Sequence, residues 1–277
     1  MPPDEDDGLA EPGTAAPTAA DFDEAFSAVV ASPGLRRVWE LADLELPPEV
    51  EPFSFVSAGL LRHVARALGL SPGQALVDLG CGRGGPGLWL AREADVSLVG
   101  VDFSRVAVSH AADRAEVFGL AGRARFVVGD LTRTGLPAAS ADAAVSVDAF
   151  HFAADPAAAA VEARRVLRPG GRLALTNWQP KVAGDARLPG RMRIDWLQVL
   201  RGACFADVVI EGRPEWHDLW TRVHRVALDL GDPGDDVLLA DLQAEARDRL
   251  PLADLSRRVV VTATAPEAGR DPIRLGS

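Results

Sequence analysis

Acids and glycines crowd one short stretch, Val77-Asp78-Leu79-Gly80-Cys81-Gly82-Arg83-Gly84-Gly85-Pro86, and further acids follow at Asp102, Asp130 and Asp148, with His151 just beyond the last. Glycines at this spacing accept positive φ and let a ligand approach the backbone, while Pro86 has the fixed φ and missing donor that suit a first helical turn. The stretch therefore reads as a buried strand running into a ligand cradle, with unpaired amides at a helix N-terminus. Gly80, Gly82 and Gly85 match a dinucleotide fingerprint, and Asp102 falls about 20 residues on, where an acid binds ribose hydroxyls. Asp78 argues for another ligand. A carboxylate inside a strand is costly without a donor or a cationic partner, and a cationic cofactor supplies one.

The elements that must position these residues follow from periodicity and punctuation. A helix is expected over Gly87 to Arg92, a second strand over Val96 to Asp102, and a helix over Ser104 to Phe118 with Ser104 as N-cap. Ala124 to Asp130 and Ala141 to Val147 read as the third and fourth strands; Asp155-Pro156 opens a helix through Leu167, and Arg172 to Asn177 is the fifth strand. Strands alternating with helices of this length mean right-handed βαβ units in an α/β parallel sheet. Asp78, Asp102, Asp130, Asp148 and Asn177 then fall at strand carboxyl ends and should face one crevice. Acids there disfavour a pyrophosphate and favour a ligand bearing a sulfonium, an ammonium and hydroxyls. Arg83 and Arg105 are the counter-evidence, since an arginine near the ribose acid can serve NADP.

Outside this core, residues 1–20 mix Pro, Gly and Thr with an acidic run and are expected to be a disordered tail. Residues 21–70 read as a helical cap and lid, broken at Pro33-Gly34 and stiffened by Pro47, Pro48 and Pro52 ahead of Phe53 and Phe55; residues 71–277 form the core. After Trp178 the pattern changes to a helix over Ile194 to Gly202, a strand over Phe205 to Glu211, helices over Pro214 to Leu230 and Asp235 to Leu250, and a final strand over Arg258 to Ala265. The two helices make an insertion at about 212–252.

The 277 residues carry a net charge of -11 and a single lysine, Lys181, which argues against nucleic acid as the main partner. Cys81 and Cys204 are too few for a disulfide framework and suit a cytoplasmic protein; Cys81 as a nucleophile is weighed against a small residue filling the turn. No leader and no long apolar run is seen, so neither secretion nor a membrane span is expected. No metal cluster or Ser-His-Asp arrangement emerges.

Val-Asp-Leu-Gly-Cys-Gly resembles motif I of the class I S-adenosylmethionine-dependent methyltransferases. Val145 to Phe152 is similar to their fourth motif, and Arg165 to Leu173 to their usual approach to the fifth strand; together the likeness covers about Leu76 to Trp178. It implies a Rossmann-like, doubly wound, mostly parallel seven-stranded sheet closed by an antiparallel terminal hairpin. It also implies S-adenosyl-L-methionine as cofactor: Gly80 and Gly82 approach its methionine and ribose, Asp102 binds the ribose hydroxyls, Phe103 packs on adenine, and Asp130 with the Leu131 amide meets the adenine edge. Asp78, Cys81 and Asp148 complete the expected cofactor set. The overall pattern looks like bacterial small-molecule methyltransferases of secondary metabolism and natural product biosynthesis.

Methyl transfer from a sulfonium is an in-line displacement, so holding the acceptor at near-attack distance in a dry pocket supplies much of the catalysis. His151 is the candidate general base, and the alternative is an imidazole that only fills the pocket floor. Phe55, Trp178, Trp216, His217 and Trp220 are the candidate substrate-binding residues, against the alternative of a cap helix packed through its tryptophans. A non-methylating reaction such as cyclisation, a scaffold that binds cofactor without chemistry, and an NAD(P) oxidoreductase are the other readings.

Overall fold

The glycine cradle lies at the carboxyl end of strand β1, Ala75–Leu79, in the computed structural model, which describes residues 17–267. Leu76, Val77 and Leu79 are all buried, as a central parallel strand covered on both faces requires, and Asp78 is buried among them. Helix α4, Gly85–Ala94, starts directly after the turn, with Gly84 at its N-cap at φ 78° and Pro86 in the first turn.

The alternation continues through β2 (Ser97–Asp102), α5 (Arg105–Arg114), β3 (Ala124–Val128), β4 (Ala141–Val147), α6 (Pro156–Val166) and β5 (Leu167–Pro180). Then come α7 (Trp196–Gly202), β6 (Ala206–Gly212), α8 (Pro214–Asp229), α9 (Val237–Arg249) and β7 (Ser256–Thr264). The sheet has seven strands in the order β3-β2-β1-β4-β5-β7-β6. β1 through β5 are mutually parallel, and β7 runs antiparallel to both β5 and β6. The expected sheet, its antiparallel closing pair and its two-helix insertion are all present. The strand order reverses between β1 and β4, and a crevice opens at that point outside the strand ends.

Several boundaries differ from expectation. α5 stops at Arg114, short of Phe118, because residues 115–119 form a turn. β3 ends at Val128, leaving Asp130 in an isolated bridge to Arg133. β5 begins at Leu167 and extends to Pro180, since β7 pairs with it from Arg172 to Pro180 and supplies the ladder for the extra residues.

Residues 1–16, most of the segment expected to be a tail, lie outside the described residues. Helix α1 is Ala19–Val29; Thr18 caps it, accepting from the Asp21 amide while Asp21 accepts in return. α2 is Pro33–Ala42 and α3 is Ala58–Leu68. Leu35, Val38 and Ala42 of α2 pack against Leu219 and Val223 of α8 and Leu238 and Leu242 of α9. Asp236 fastens the two segments: it caps α9 and also accepts from Ser32 Oγ at 2.7 Å and the Gly34 amide at 2.8 Å. Cap and insertion thus form one helical layer over the crevice.

Candidate functional site

The cradle is built by contacts between the ends of β1 and β2. The Gly80 and Cys81 amides both donate to the Val101 carbonyl, at 2.8 and 3.0 Å. Asp102 accepts from the Gly82 amide at 2.8 Å and from the Ser104 amide at 2.9 Å. Gly80 sits at φ 75°, and a Cβ there would stand 2.4 Å from that of Ala149, so the turn tolerates no side chain. A Cβ on Gly87 would stand 2.2 Å from Asp78 Oδ2, so the first turn of α4 closes directly on this acid. Asp78 is 2% exposed, and its Oδ1 has no hydrogen-bond partner. Burial, reinforced by the neighbouring Asp102 charge, pushes its carboxyl up to about 8. Burial also pushes the Cys81 thiol well above its ordinary value, which favours a small residue filling the turn over a nucleophile.

A cavity of about 340 Å³ opens from this cradle and is roofed by the helical layer. Asp78, Gly80, Cys81, Gly82, Asp102, Phe103, Asp130, Leu131 and Asp148 all line it, and so do Phe55, His151, Trp178 and Trp220. Trp216 and His217 do not. Trp216 is 3% exposed in the core beside Leu60 and Val64, with His63 edge-on at 5.0 Å and the Arg213 guanidinium over its ring. One helical turn, a rise of roughly 6 Å, separates it from Trp220, enough to move the side chain from pocket wall to sheet core. His217 is on the next position round the helix; its ring tilts on Trp220 at 5.2 Å, outside the lining.

His151 is 8% exposed in the turn Phe150–Phe152, 5.6 Å from the Trp178 ring, with no partner on Nδ1. Burial drives its conjugate acid down to about 3, opposed by the Asp148 charge. Asp148 corrects an expectation. It lines the cavity, but Arg258 Nη2 donates to both of its oxygens at 2.6 Å, Thr176 Oγ1 donates at 2.5 Å and the Phe55 amide at 2.9 Å. Its acceptor capacity serves the protein, so it is not a free cofactor ligand.

The Methyltransferase domain family matches residues 77–175. Sterol 24-C-methyltransferase erg6 of Aspergillus fumigatus is 32% identical over 52% of this chain and 38% of its own length. The 27-O-demethylrifamycin SV methyltransferase of Amycolatopsis mediterranei is 37% identical over 43% of this chain and 44% of its own. The solved structure of the [4+2]-cyclase SpnF superposes with a TM-score of 0.72 at 26% identity, covering 92% of this chain and 98% of that one. These likenesses support a class I S-adenosylmethionine-dependent methyltransferase domain over residues 77–175. The chain spans under half the length of the two curated relatives named.

The residues of this site fit S-adenosylmethionine. Asp78 is a buried acid with an unpartnered oxygen, the environment that calls for a cationic or donor-bearing ligand. Asp102 keeps lone pairs beyond its two amide bonds, and Phe103 and Leu131 offer apolar surface beside Asp130. Arg83, which suggested a phosphate, is tied to Glu51 at 2.9 Å. Among the described residues no group of three or more His, Cys, Asp or Glu side chains is placed to hold a metal, and no helix is long and apolar enough to cross a membrane.

Sequence reasoning missed several residues of this site. Phe22 and Phe26 of α1 reach over the cradle: Phe22 lies 5.3 Å from Phe103, and Phe26 lies 5.1 Å from Phe53. Arg258, fully buried, holds Asp148. Its signal was present, since an arginine heading the apolar run Val259-Val260-Val261 needs a buried partner; the partner's identity was not legible.

Proposed function

We propose that this methyltransferase transfers the methyl group of S-adenosyl-L-methionine to an apolar small-molecule acceptor, in the cytoplasm and in the biosynthesis of a secondary metabolite. The observation that carries the reading is one cavity with two kinds of wall: Asp78, Asp102 and Asp130 at the glycine cradle, and Phe55, Trp178 and Trp220 with His151 under the helical roof. When bound, the cofactor supplies an electrophilic methyl carbon. The acids hold its charged and hydroxyl groups, the aromatic walls exclude water and orient the acceptor, and His151 accepts the acceptor's proton.

His151 has a defined range as a base. With its conjugate acid at about 3 it is neutral across the physiological range, so its lone pair is always free but weakly basic. It therefore serves an acceptor atom already acidic, a phenol or enol oxygen or an activated carbon, and not a simple alcohol. The likeness to the rifamycin methyltransferase supports a small-molecule acceptor. The test is incubation with cofactor and a panel of phenols and enols, following S-adenosylhomocysteine release and product mass. Release coupled to the mass gain of one methylene supports the proposal, and its absence across the panel counts against it.

A second reading is favoured by one observation, the likeness to a [4+2]-cyclase that extends over 98% of that chain. In that case the aromatic wall folds a polyene-like substrate while the cofactor is retained. A product of unchanged mass, formed without S-adenosylhomocysteine release, would establish it.

A further inference from the structure

The backbone of Phe55 is held on both sides of its Cα by one buried ion pair. Its amide donates to Asp148 Oδ2 at 2.9 Å, and its carbonyl accepts from Arg258 Nη2 at 3.0 Å, the same nitrogen that donates to both Asp148 oxygens. The side chains are 0% and 7% exposed. A buried pair of this kind adds little net stability, because desolvation offsets the attraction; what it supplies is a specified geometry, since removing one partner strands a charge.

The residue it holds is a junction. The Phe55 ring stacks on His224 of α8 at 5.0 Å and meets Trp178 of β5 at 6.0 Å and Trp39 of α2 at 6.5 Å, both edge-on. The Arg258 guanidinium lies over the Trp178 ring at 4.3 Å. Asp148 itself takes φ 54°, turning the chain from β4 into the residues that carry His151.

We propose that Asp148 and Arg258 are positioning residues that rivet Phe55, making Phe55, Trp178 and His151 a preformed, immobile wall of the acceptor chamber. Opening the Phe55 side would strip a buried pair of two hydrogen bonds. The inference rests on the proposed function only in calling this half of the cavity the acceptor side.

The test is amide hydrogen exchange on the full chain saturated with S-adenosylhomocysteine, with the apolar dye N-phenyl-1-naphthylamine as a probe of the chamber. Two variants are compared: Arg258→Met, and Asp148→Asn with Arg258→Met, which leaves no stranded charge and so preserves folding. In the wild type the Phe55 amide should be protected although it lies outside helix and strand. In both variants it should exchange about 100-fold faster and the dye should bind about 10-fold more weakly, with β1 amides and S-adenosylhomocysteine affinity unchanged. An unprotected Phe55 amide in the wild type, or unchanged exchange and dye binding in the folded double variant, would overturn the proposal. So would loss of β1 protection and cofactor affinity in step with Phe55, the mark of a merely structural pair. Failure of the wild type to bind S-adenosylhomocysteine would instead count against the cofactor reading, and the Phe55 exchange in the free protein would still decide this one.

Discussion

The Asp102 carboxylate accepts from the Gly82 amide at 2.8 Å, so the acid at the end of β2 holds the glycine turn that follows β1. The same side chain is the expected ribose ligand, which makes it both support and contact. Asp102→Ala should weaken S-adenosylmethionine binding by about 1.5–3 kcal/mol, the range for hydrogen bonds to a charged group. Calorimetry on the folded variant checks this, and the wild type titrated with NAD or NADP should give no heat of binding.

Asp78 is expected to trade stability for affinity. Its carboxyl rises from 3.8 to about 8 on burial, so its contribution to stability is fully present below 3.8 and is lost as pH rises through about 8. Without cofactor, Asp78→Asn should therefore raise the melting temperature at pH 8, by about 2–4 °C for each kcal/mol recovered. Cofactor affinity should fall in the same variant. Paired scanning calorimetry and titration at pH 5 and pH 8 would show whether the gain grows with pH.

For His151 two measurements separate base from filler. His151→Ala should cost about 100-fold in turnover if the imidazole takes the proton, with cofactor affinity unchanged, and the loss should shrink as pH approaches the acceptor's own pKa. Its conjugate acid falls from 6.5 to about 3 on folding, so the stability it confers is complete above about 6.5 and drains away as pH falls toward 3. A His151→Phe variant should unfold less readily than the wild type at pH 4.

Helix α8 allows a direct comparison of neighbours. Trp220→Ala should lower acceptor affinity and turnover, because Trp220 lines the cavity 6.3 Å from Trp178. His217→Ala, outside the lining, should change steady-state kinetics far less than Trp220→Ala. Trp216→Ala should instead cost stability, about 3–5 kcal/mol by urea denaturation, the range for emptying a buried aromatic site.

Asp236 does double duty as the α9 cap and as acceptor for Ser32 and Gly34. Asp236→Ala should destabilise by about 1–3 kcal/mol, the sum expected for a lost cap and a lost tie. Protease digestion should then cut the loops around α2 and α9 faster while the sheet stays resistant.

What the sequence by itself determined is what local rules govern. The glycine spacing required positive φ at Gly80 and Gly82, the apolar runs required buried parallel strands, and Asp78 inside such a run required a cationic or donor-bearing ligand. Those requirements hold within a few residues, so the cradle, the acids at the strand ends and the order of elements were all legible. Only the tertiary structure decided which of two tryptophans one turn apart reached the cavity, because periodicity gives a helix face but not which neighbour covers each level of it. It alone decided that Asp148 is bound by Arg258, a residue 110 positions away, and so is not free for cofactor. It alone brought α2 against α8 and α9 as one roof. Pairings of that separation depend on the relative placement of elements whose own patterns are satisfied by many partners, and that placement is settled only when the whole core packs.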